Sequence, residues 1–140
     1  MNTQIIRQLR AENCSLVLQD RAGNVRTFYK KGVRDLEDLL DHEPDTLKGA
    51  VVADKVIGKA AAGLLVVGGV TEVYAEVISR LALPLLQKAG IGYTYSLLVD
   101  RIVIPQGDDR CPLEKIVEPA KSAEEVVRLL RRHFEEMKSK

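Results

Sequence analysis

The middle of the chain alternates between short strand-forming segments and short helix-forming segments. Residues 50–52 (AVV) and 71–78 (TEVYAEVI) carry the β-branched and apolar side chains that favour strands, and residues 93–99 are again strand-like. Helices are predicted between them, at 54–67 and 80–89. Strands that alternate with helices pair in parallel. The segment therefore predicts an α/β fold with helices on both faces of a sheet.

The flanking segments extend this pattern into a mixed sheet. Residues 14–19 and 25–30 predict two strands joined by a turn at DRAGN, which is a β-hairpin. A final helix is predicted from Ser122, whose hydroxyl forms a capping box with Glu125. Residues 3–11 and 34–41 are each predicted to form a helix. Residues 101–104 are predicted as a short strand and residues 106–120 as a loop. We expect one domain, residues 1–140, with about five strands.

Composition argues against several classes of partner. The chain has 21 basic and 20 acidic residues and only six aromatic ones, which disfavours nucleic acid. Its longest apolar run, residues 60–67, is too short to span a membrane. Two cysteines, Cys14 and Cys111, cannot form a disulfide framework, and the first residues do not resemble a signal peptide. A cytoplasmic protein with free thiols is expected.

Two stretches of the sequence resemble cytidine deaminase-like domains. Residues 73–91 (VYAEVISRLALPLLQKAGI) resemble the strand and helix that carry P-C-x-x-C, and residues 53–62 (ADKVIGKAAA) resemble the helix that opens with H-x-E. In this match the zinc-signature positions hold other residues: Ala53, Lys55, Ser79 and Ala82. Catalytic zinc needs about three protein ligands. We therefore expect no metal and no cofactor, and exclude a zinc-dependent deaminase.

The whole chain also resembles an uncharacterised family of small prokaryotic proteins with this fold. The matching words are ADKVIGKAAA, VYAEVIS and CPLE, the last at residues 111–114. The resemblance implies a cytidine deaminase-like three-layer α/β/α fold and no known activity. The same fold without zinc occurs in a formyltransferase domain of purine synthesis and in a sulfur-transferring accessory protein of formate dehydrogenase. Loss of zinc therefore does not imply loss of function.

Two lysines lie near the start of the helix predicted after residue 53. Asp54 is predicted to be its N-cap, and Lys55 and Lys59 are four residues apart, so they would share a helical face. Helix N-termini carry unpaired N–H groups that attract anions. We therefore expect Asp54, Lys55 and Lys59 to bind a phosphate or carboxylate. The alternative is that Asp54 only caps the helix and that both lysines are solvated.

Three residues of the next strand and helix are predicted to join the same cleft. Glu76 lies late in an apolar strand, where a carboxylate needs a partner such as Lys55 or Lys59. It is either a general acid or base or half of a structural ion pair. Ser79 is either a ligand contact or only the N-cap of the next helix. Arg80 either clamps an anion or faces solvent.

Cys111 lies in a polar loop segment, DDRCPLE. The neighbouring Arg110 would lower the pKa of its thiol, which makes Cys111 a candidate nucleophile for group transfer. The alternative is an unreactive loop thiol.

Two functions remain open from the sequence, and with them the question of whether the protein is an enzyme. The first is a zinc-free domain that binds a small anionic ligand, for example a nucleotide, with acid–base chemistry by Lys55 and Glu76 or group transfer by Cys111. The second is a non-catalytic module that senses a ligand or binds a partner protein. Reactive groups that converge within about 4–6 Å would favour the enzyme, and a filled cleft would favour the module. A homodimer is expected, because the middle helices are rich in alanine and leucine.

Overall fold

A computed structural model describes residues 3–30, 33–102 and 112–138. The strands are β1 (Leu16–Gln19), β2 (Val25–Phe28), β3 (Val51–Ile57), β4 (Glu72–Ser79) and β5 (Gly92–Val99). The helices are α1 (Thr3–Ala11), α2 (Arg34–His42), α3 (Pro44–Leu47), α4 (Lys59–Gly68), α5 (Leu83–Ala89), α6 (Pro112–Val117) and α7 (Ala123–Lys138). A 3₁₀ turn, Arg80–Ala82, leads into α5. None of the helices in these residues is long and apolar enough to cross a membrane.

The five strands form one mixed sheet in the order β2-β1-β3-β4-β5. β1 is antiparallel to both β2 and β3, whereas β3, β4 and β5 are parallel. The parallel half is the segment whose strands alternate with helices, and the antiparallel half is the predicted hairpin. The turn between β1 and β2 contains Gly23 at a φ of 94°, a conformation that glycine adopts without strain. The predicted α/β class and the five-stranded mixed sheet are confirmed.

Helices pack on both faces of the sheet. On one face, Val17 and Ala53 contact Ile5 and Leu9 of α1 in a small buried cluster. Neighbouring strand residues point the other way, into a larger core with the helices from α2 to α7. The finer prediction, a cytidine deaminase-like three-layer arrangement, stays a prediction.

The central helix, α4, has small residues where other elements pack closely against it. Most of its residues are buried, including Gly63 and Gly68. The side chain of Val126 in α7 occupies the place where a Cβ on Gly63 would lie. The helix ends at Gly69, which has a φ of 83°. Small residues in this helix therefore allow α7 to approach it closely.

The predicted start of this helix was wrong. Residues 54–57 continue β3, and α4 begins only at Lys59. β3 has a neighbour on each side, so Asp54 is aligned with Leu16 of β1 and with Ala75 of β4. Ladder hydrogen bonds from both neighbours outweigh the preference of aspartate for a helix start. Asp54 is therefore a strand residue and not an N-cap.

Two predictions in the last third of the chain also need correction. The loop predicted at 106–120 contains α6, which begins at Pro112, a residue favoured in the first helical turn. Half of the strand predicted at 101–104 lies outside the described residues, as does Cys111, and residues 101–102 do not form strand.

The cap of the last helix is confirmed in part. The hydroxyl of Ser122 accepts a hydrogen bond from the backbone N–H of Glu125 at 3.1 Å. The carboxylate of Glu125 accepts from the N–H of Lys121 at 3.5 Å, so it does not complete the capping box at Ser122. Leu130 in this helix is buried, but Met137 is 51% exposed because α7 extends beyond the core there.

Candidate functional site

The two strands at the centre of the parallel half end side by side. Ile57 of β3 is aligned with Ile78 of β4, and each strand runs directly into a helical segment. The carboxyl ends of parallel strands meet at one edge of the sheet, so the start of α4 lies next to the 3₁₀ turn. The sequence predicted these neighbouring helix starts, although at Asp54 instead of Lys59. This edge is the candidate site.

The start of α4 is already occupied by a carboxylate of the chain. Glu114 of α6 accepts hydrogen bonds from the backbone N–H groups of Lys59 at 2.8 Å and of Ala60 at 2.9 Å, one with each carboxylate oxygen. The residue is only 7% exposed. It lies against Gly58, where a Cβ would overlap its carboxylate. The unpaired N–H groups that would attract an external anion are therefore bonded internally.

The side chain of Lys59 binds the segment that follows α6, the helix that carries Glu114. Its ammonium group donates hydrogen bonds to the carbonyl oxygens of Glu118 at 2.8 Å and of Ala120 at 2.6 Å. Both acceptors follow the C-terminal end of α6, where a positive charge is favourable. Lys59 and Glu114 therefore fasten α6 across the start of α4. The lysine does not share a helical face with Lys55, because Lys55 is in β3.

Ser79 and Arg80 have structural partners at this edge. Ser79 is fully buried, and its hydroxyl accepts a hydrogen bond from the N–H of Leu81 at 3.1 Å, as predicted for an N-cap. The same hydroxyl donates to the carbonyl of Asp100 at 3.4 Å. Arg80 forms an ion pair of 3.0 Å with the side chain of Asp100, and both side chains are exposed.

Lys55 and Glu76 lie on the opposite face of the sheet. Side chains alternate along a strand, so Lys55 points away from the face to which Asp54 points. Its charge lowers the pKa of Cys14, although burial of that thiol raises the pKa more strongly. The buried cluster that contains Cys14 also contains α1, which identifies this face.

The partner of Glu76 is an arginine and not a lysine. Arg10 of α1 donates to the Glu76 carboxylate at 2.9 Å and to the hydroxyl of Tyr74 at 2.8 Å. Its guanidinium carbon lies 5.6 Å from the centre of the Tyr74 ring. The hydrogen bond with Glu76 raises the pKa of Arg10. The prediction that Lys55 or Lys59 would neutralise Glu76 was wrong, because sequence patterns gave no indication that α1 ends over β4.

Asp54 is a buried carboxyl group at the centre of the sheet. It is 7% exposed, and it accepts a hydrogen bond from the N–H of Val56 at 3.2 Å. Burial raises the pKa of Asp54 to about 7, and the negative charge of Asp35 adds to the effect. Burial of Asp54 therefore disfavours its charged form, and this carboxyl group offers no positive charge to an anionic ligand.

Asp35, in the first turn of α2, was missed by the sequence analysis. Its carboxylate accepts hydrogen bonds from the backbone N–H of Lys30 at 3.0 Å and from the hydroxyl of Ser15 at 3.4 Å. Burial raises the pKa of Asp35. Its position in the first turn of an amphipathic helix predicts only a favourable interaction with the helix dipole, and so did not indicate these partners. Sequence patterns gave even less indication of a role for Glu114, which belongs only to the motif CPLE.

The predicted site residues therefore do not converge. Asp54 points to one face of the sheet and Lys55 to the other, while Glu76 pairs with Arg10. Cys111 lies outside the described residues. In the part of the chain that the structure describes, the ion pair of Glu76 is with Arg10, and the acid–base role of Lys55 and Glu76 stays a prediction.

Two surface grooves lie elsewhere in the described residues. One of about 410 Å³ lies between β2 and α2, lined by Arg26, Phe28, Lys30, Asp35, Asp38, Leu39, His42 and Glu43. Another of about 270 Å³ lies between α4, α5 and α7, lined by Val66, Leu85, Lys88, Ala89, Ser122, Ala123 and Glu124. Of the predicted site residues that the structure describes, none lines either groove.

Among residues 3–30, 33–102 and 112–138, no group of three or more His, Cys, Asp or Glu side chains could hold a metal ion. The expectation that the protein lacks zinc stays a prediction.

Comparisons with known proteins agree with the fold and leave the activity open. A family model described as TM1506, a domain of unknown function (DUF1893), matches residues 4–134. The chain is also similar to a solved structure described as the crystal structure of a DUF1893 family protein (TM1506) from Thermotoga maritima. The two are 26% identical with a TM-score of 0.81, and the match covers 95% of this chain and 92% of the other. Among curated proteins, none matches the chain.

Proposed function

The chain belongs to the DUF1893 family of domains of unknown function, and we propose that this member is a non-catalytic binding module. The observation that carries the proposal is the carboxylate of Glu114, which fills the start of α4. An enzyme acting on a small anionic ligand would need those N–H groups free for substrate. The competing proposal, a zinc-free enzyme with such a ligand, would have to displace Glu114 in every turnover.

The cost of that displacement can be estimated. Two hydrogen bonds from backbone N–H groups to a charged carboxylate would be lost, and the carboxylate would have to be solvated again. Bonds to charged groups contribute about 1.5–3 kcal/mol each, less what the incoming anion regains. A net cost of roughly 3 kcal/mol would weaken anion binding about 100-fold. The internal contact therefore favours a structural role for this helix start.

The arrangement of the other polar groups supports the same conclusion. Lys59 bonds the carbonyl groups that follow α6, and Ser79 caps the 3₁₀ turn. Glu76 is held by Arg10 on the far face of the sheet. Each of these side chains has a partner within the fold, and none of those contacts brings a base and a nucleophile together.

Thermal unfolding with added phosphate or acetate tests the proposal. The wild-type protein should gain no stability from either anion at about 10 mM. Glu114→Ala should unfold at a lower temperature and should recover part of the loss in acetate, because the anion can enter the vacated site. Glu124→Ala is the matched control, since it removes an exposed acidic side chain from the first turn of α7. It should behave like the wild type.

The opposite result would support the enzyme proposal. If phosphate stabilises the wild-type protein as strongly as it stabilises Glu114→Ala, then Glu114 does not block the site. Should Glu114→Ala fail to fold, Glu114→Gln gives the same comparison, because the amide retains one acceptor but lacks the negative charge.

A further inference from the structure

β5 forms one edge of the sheet and has an unusual composition for that position. Its eight residues, GYTYSLLV, include no charged side chain and no proline. Within the described residues, β5 pairs only with β4, so its outer side presents backbone donors and acceptors. Edge strands are usually protected from further pairing by charges, proline or bulges. β5 lacks the first two of these protections.

The opposite edge of the sheet is protected. β2 carries Arg26, whose guanidinium group forms an ion pair of 2.8 Å with Glu43 of the segment between α2 and α3. Lys30, just beyond this strand, forms an ion pair with Asp38. Charged side chains on this strand therefore disfavour pairing with another strand. The two edge strands therefore differ in charge, a property that disfavours pairing with a further strand.

An apolar row on the sheet leads to the unprotected edge. Val56, Val77 and Leu97 are aligned on β3, β4 and β5. The residues that follow them in each strand (Ile57, Ile78 and Leu98) face the larger core, so this row faces the side on which α1 packs. The strand pairing skips Lys55 and Glu76 just before the row, so the regular alternation of side chains is interrupted there. α1 covers β1 and part of β3 but leaves the row open, because Val56 is 44% and Leu97 is 55% exposed. Contiguous exposed apolar side chains of this kind mark interaction surfaces.

We propose that β5 pairs with β5 of a second copy of this chain, so that two five-stranded sheets join across a two-fold axis. The inference goes beyond the proposed function, since it names a partner at a different surface. A two-fold axis places the two strands antiparallel, and every free donor then meets an acceptor by symmetry. Because the strand is uncharged, the two copies bring no like charges into opposition.

The available area suits a second copy. Eight strand residues span roughly 26 Å. Pairing along this length, with the apolar row beside it, would bury on the order of 1,000 Å² in total, which is near the lower limit for a specific interface. The dimer should therefore dissociate at micromolar concentrations. Of the middle helices that prompted the sequence-based expectation of a dimer, α4 contributes little, because it is mostly buried in the core.

Sedimentation velocity between about 1 and 500 μM tests the inference. The wild-type protein should shift from monomer to dimer in this range. Leu97→Lys adds like charges across the interface at an exposed position, and should raise the dissociation constant at least about tenfold. Val67→Lys is the matched control, because Val67 is also exposed but lies in α4, and it should dimerise like the wild type.

Hydrogen exchange locates the interface independently. The amides of β5 should become better protected as the wild-type concentration rises, and those of β2 should not change. A wild-type protein that stays monomeric up to about 500 μM would overturn the proposal. So would a dimer that Leu97→Lys leaves intact. Circular dichroism on the variant verifies that the fold is retained.

Discussion

The stability of the protein should fall as the pH rises from about 4 to about 7, because of Asp54. Its pKa is raised from 3.8 to about 7 by burial. Below the unfolded pKa, the carboxyl is protonated in both the folded and the unfolded state. Between the two pKa values, the folded protein holds a proton that the unfolded chain releases, so raising the pH favours unfolding. At about 1.4 kcal/mol per pH unit, the stability lost by pH 8 is roughly 4 kcal/mol.

The substitution Asp54→Asn isolates this contribution. The amide has nearly the same shape and can still accept the hydrogen bond from Val56, but it does not ionise. The wild-type free energy of unfolding, relative to that of Asp54→Asn, should fall by roughly 2–3 kcal/mol between pH 5 and pH 8. Urea unfolding at four pH values measures the difference. Asp45→Asn is the control, because Asp45 is exposed. Parallel pH profiles for wild type and Asp54→Asn would refute the reasoning.

Three further substitutions test contacts at the sheet edge and on the opposite face. Lys59→Met keeps the apolar stem but loses both hydrogen bonds to the carbonyl groups after α6, and should lower the free energy of unfolding by about 1–2 kcal/mol. A change below about 0.5 kcal/mol in urea unfolding would indicate a solvated lysine. Gly58→Ala should cost more than about 2 kcal/mol, because its Cβ would displace the carboxylate of Glu114 from its hydrogen bonds to the N–H groups of Lys59 and Ala60. Gly92→Ala meets only a side-chain carbon of Glu72 at 3.6 Å and should cost under about 1 kcal/mol. Equal losses of melting temperature for these two variants would contradict the close contact. Glu76→Gln should change the free energy of unfolding by less than about 1 kcal/mol, since its ion pair with Arg10 is partly solvated; a larger loss in urea would mean that the pair is structurally essential.

Local patterns in the sequence were sufficient for the hairpin and the parallel strands. Strand-forming residues on either side of the turn DRAGN indicated β1 and β2, and Gly23 supplied the turn between them. The end of β3 was misplaced because Asp54 and Lys55 interrupt an apolar pattern and resemble a helix start. What decides the boundary is the pairing of these residues with β1 and β4, which lie far away in the sequence.

The contents of the candidate site could not be predicted for the same reason. Glu114 is separated from Lys59 by 55 positions, and no periodicity links the two. One signal was present: Gly58 directly precedes the helix, and a glycine there can indicate that another group approaches the backbone closely. The pairing of Glu76 with Arg10 depends equally on how α1 crosses the sheet. Residue types identified the edge of the sheet, but packing determined which charges meet.

Nuclear magnetic resonance during a phosphate titration tests the central claim most directly. The claim is that Glu114 already satisfies the backbone N–H groups of Lys59 and Ala60 at the start of α4. The amide resonances of these two residues should stay in place when phosphate is added to the wild-type protein up to about 10 mM, and should move in Glu114→Ala. Saturable shifts of both amides in the wild-type protein would contradict the account, because they would mean that an external anion binds where Glu114 is placed.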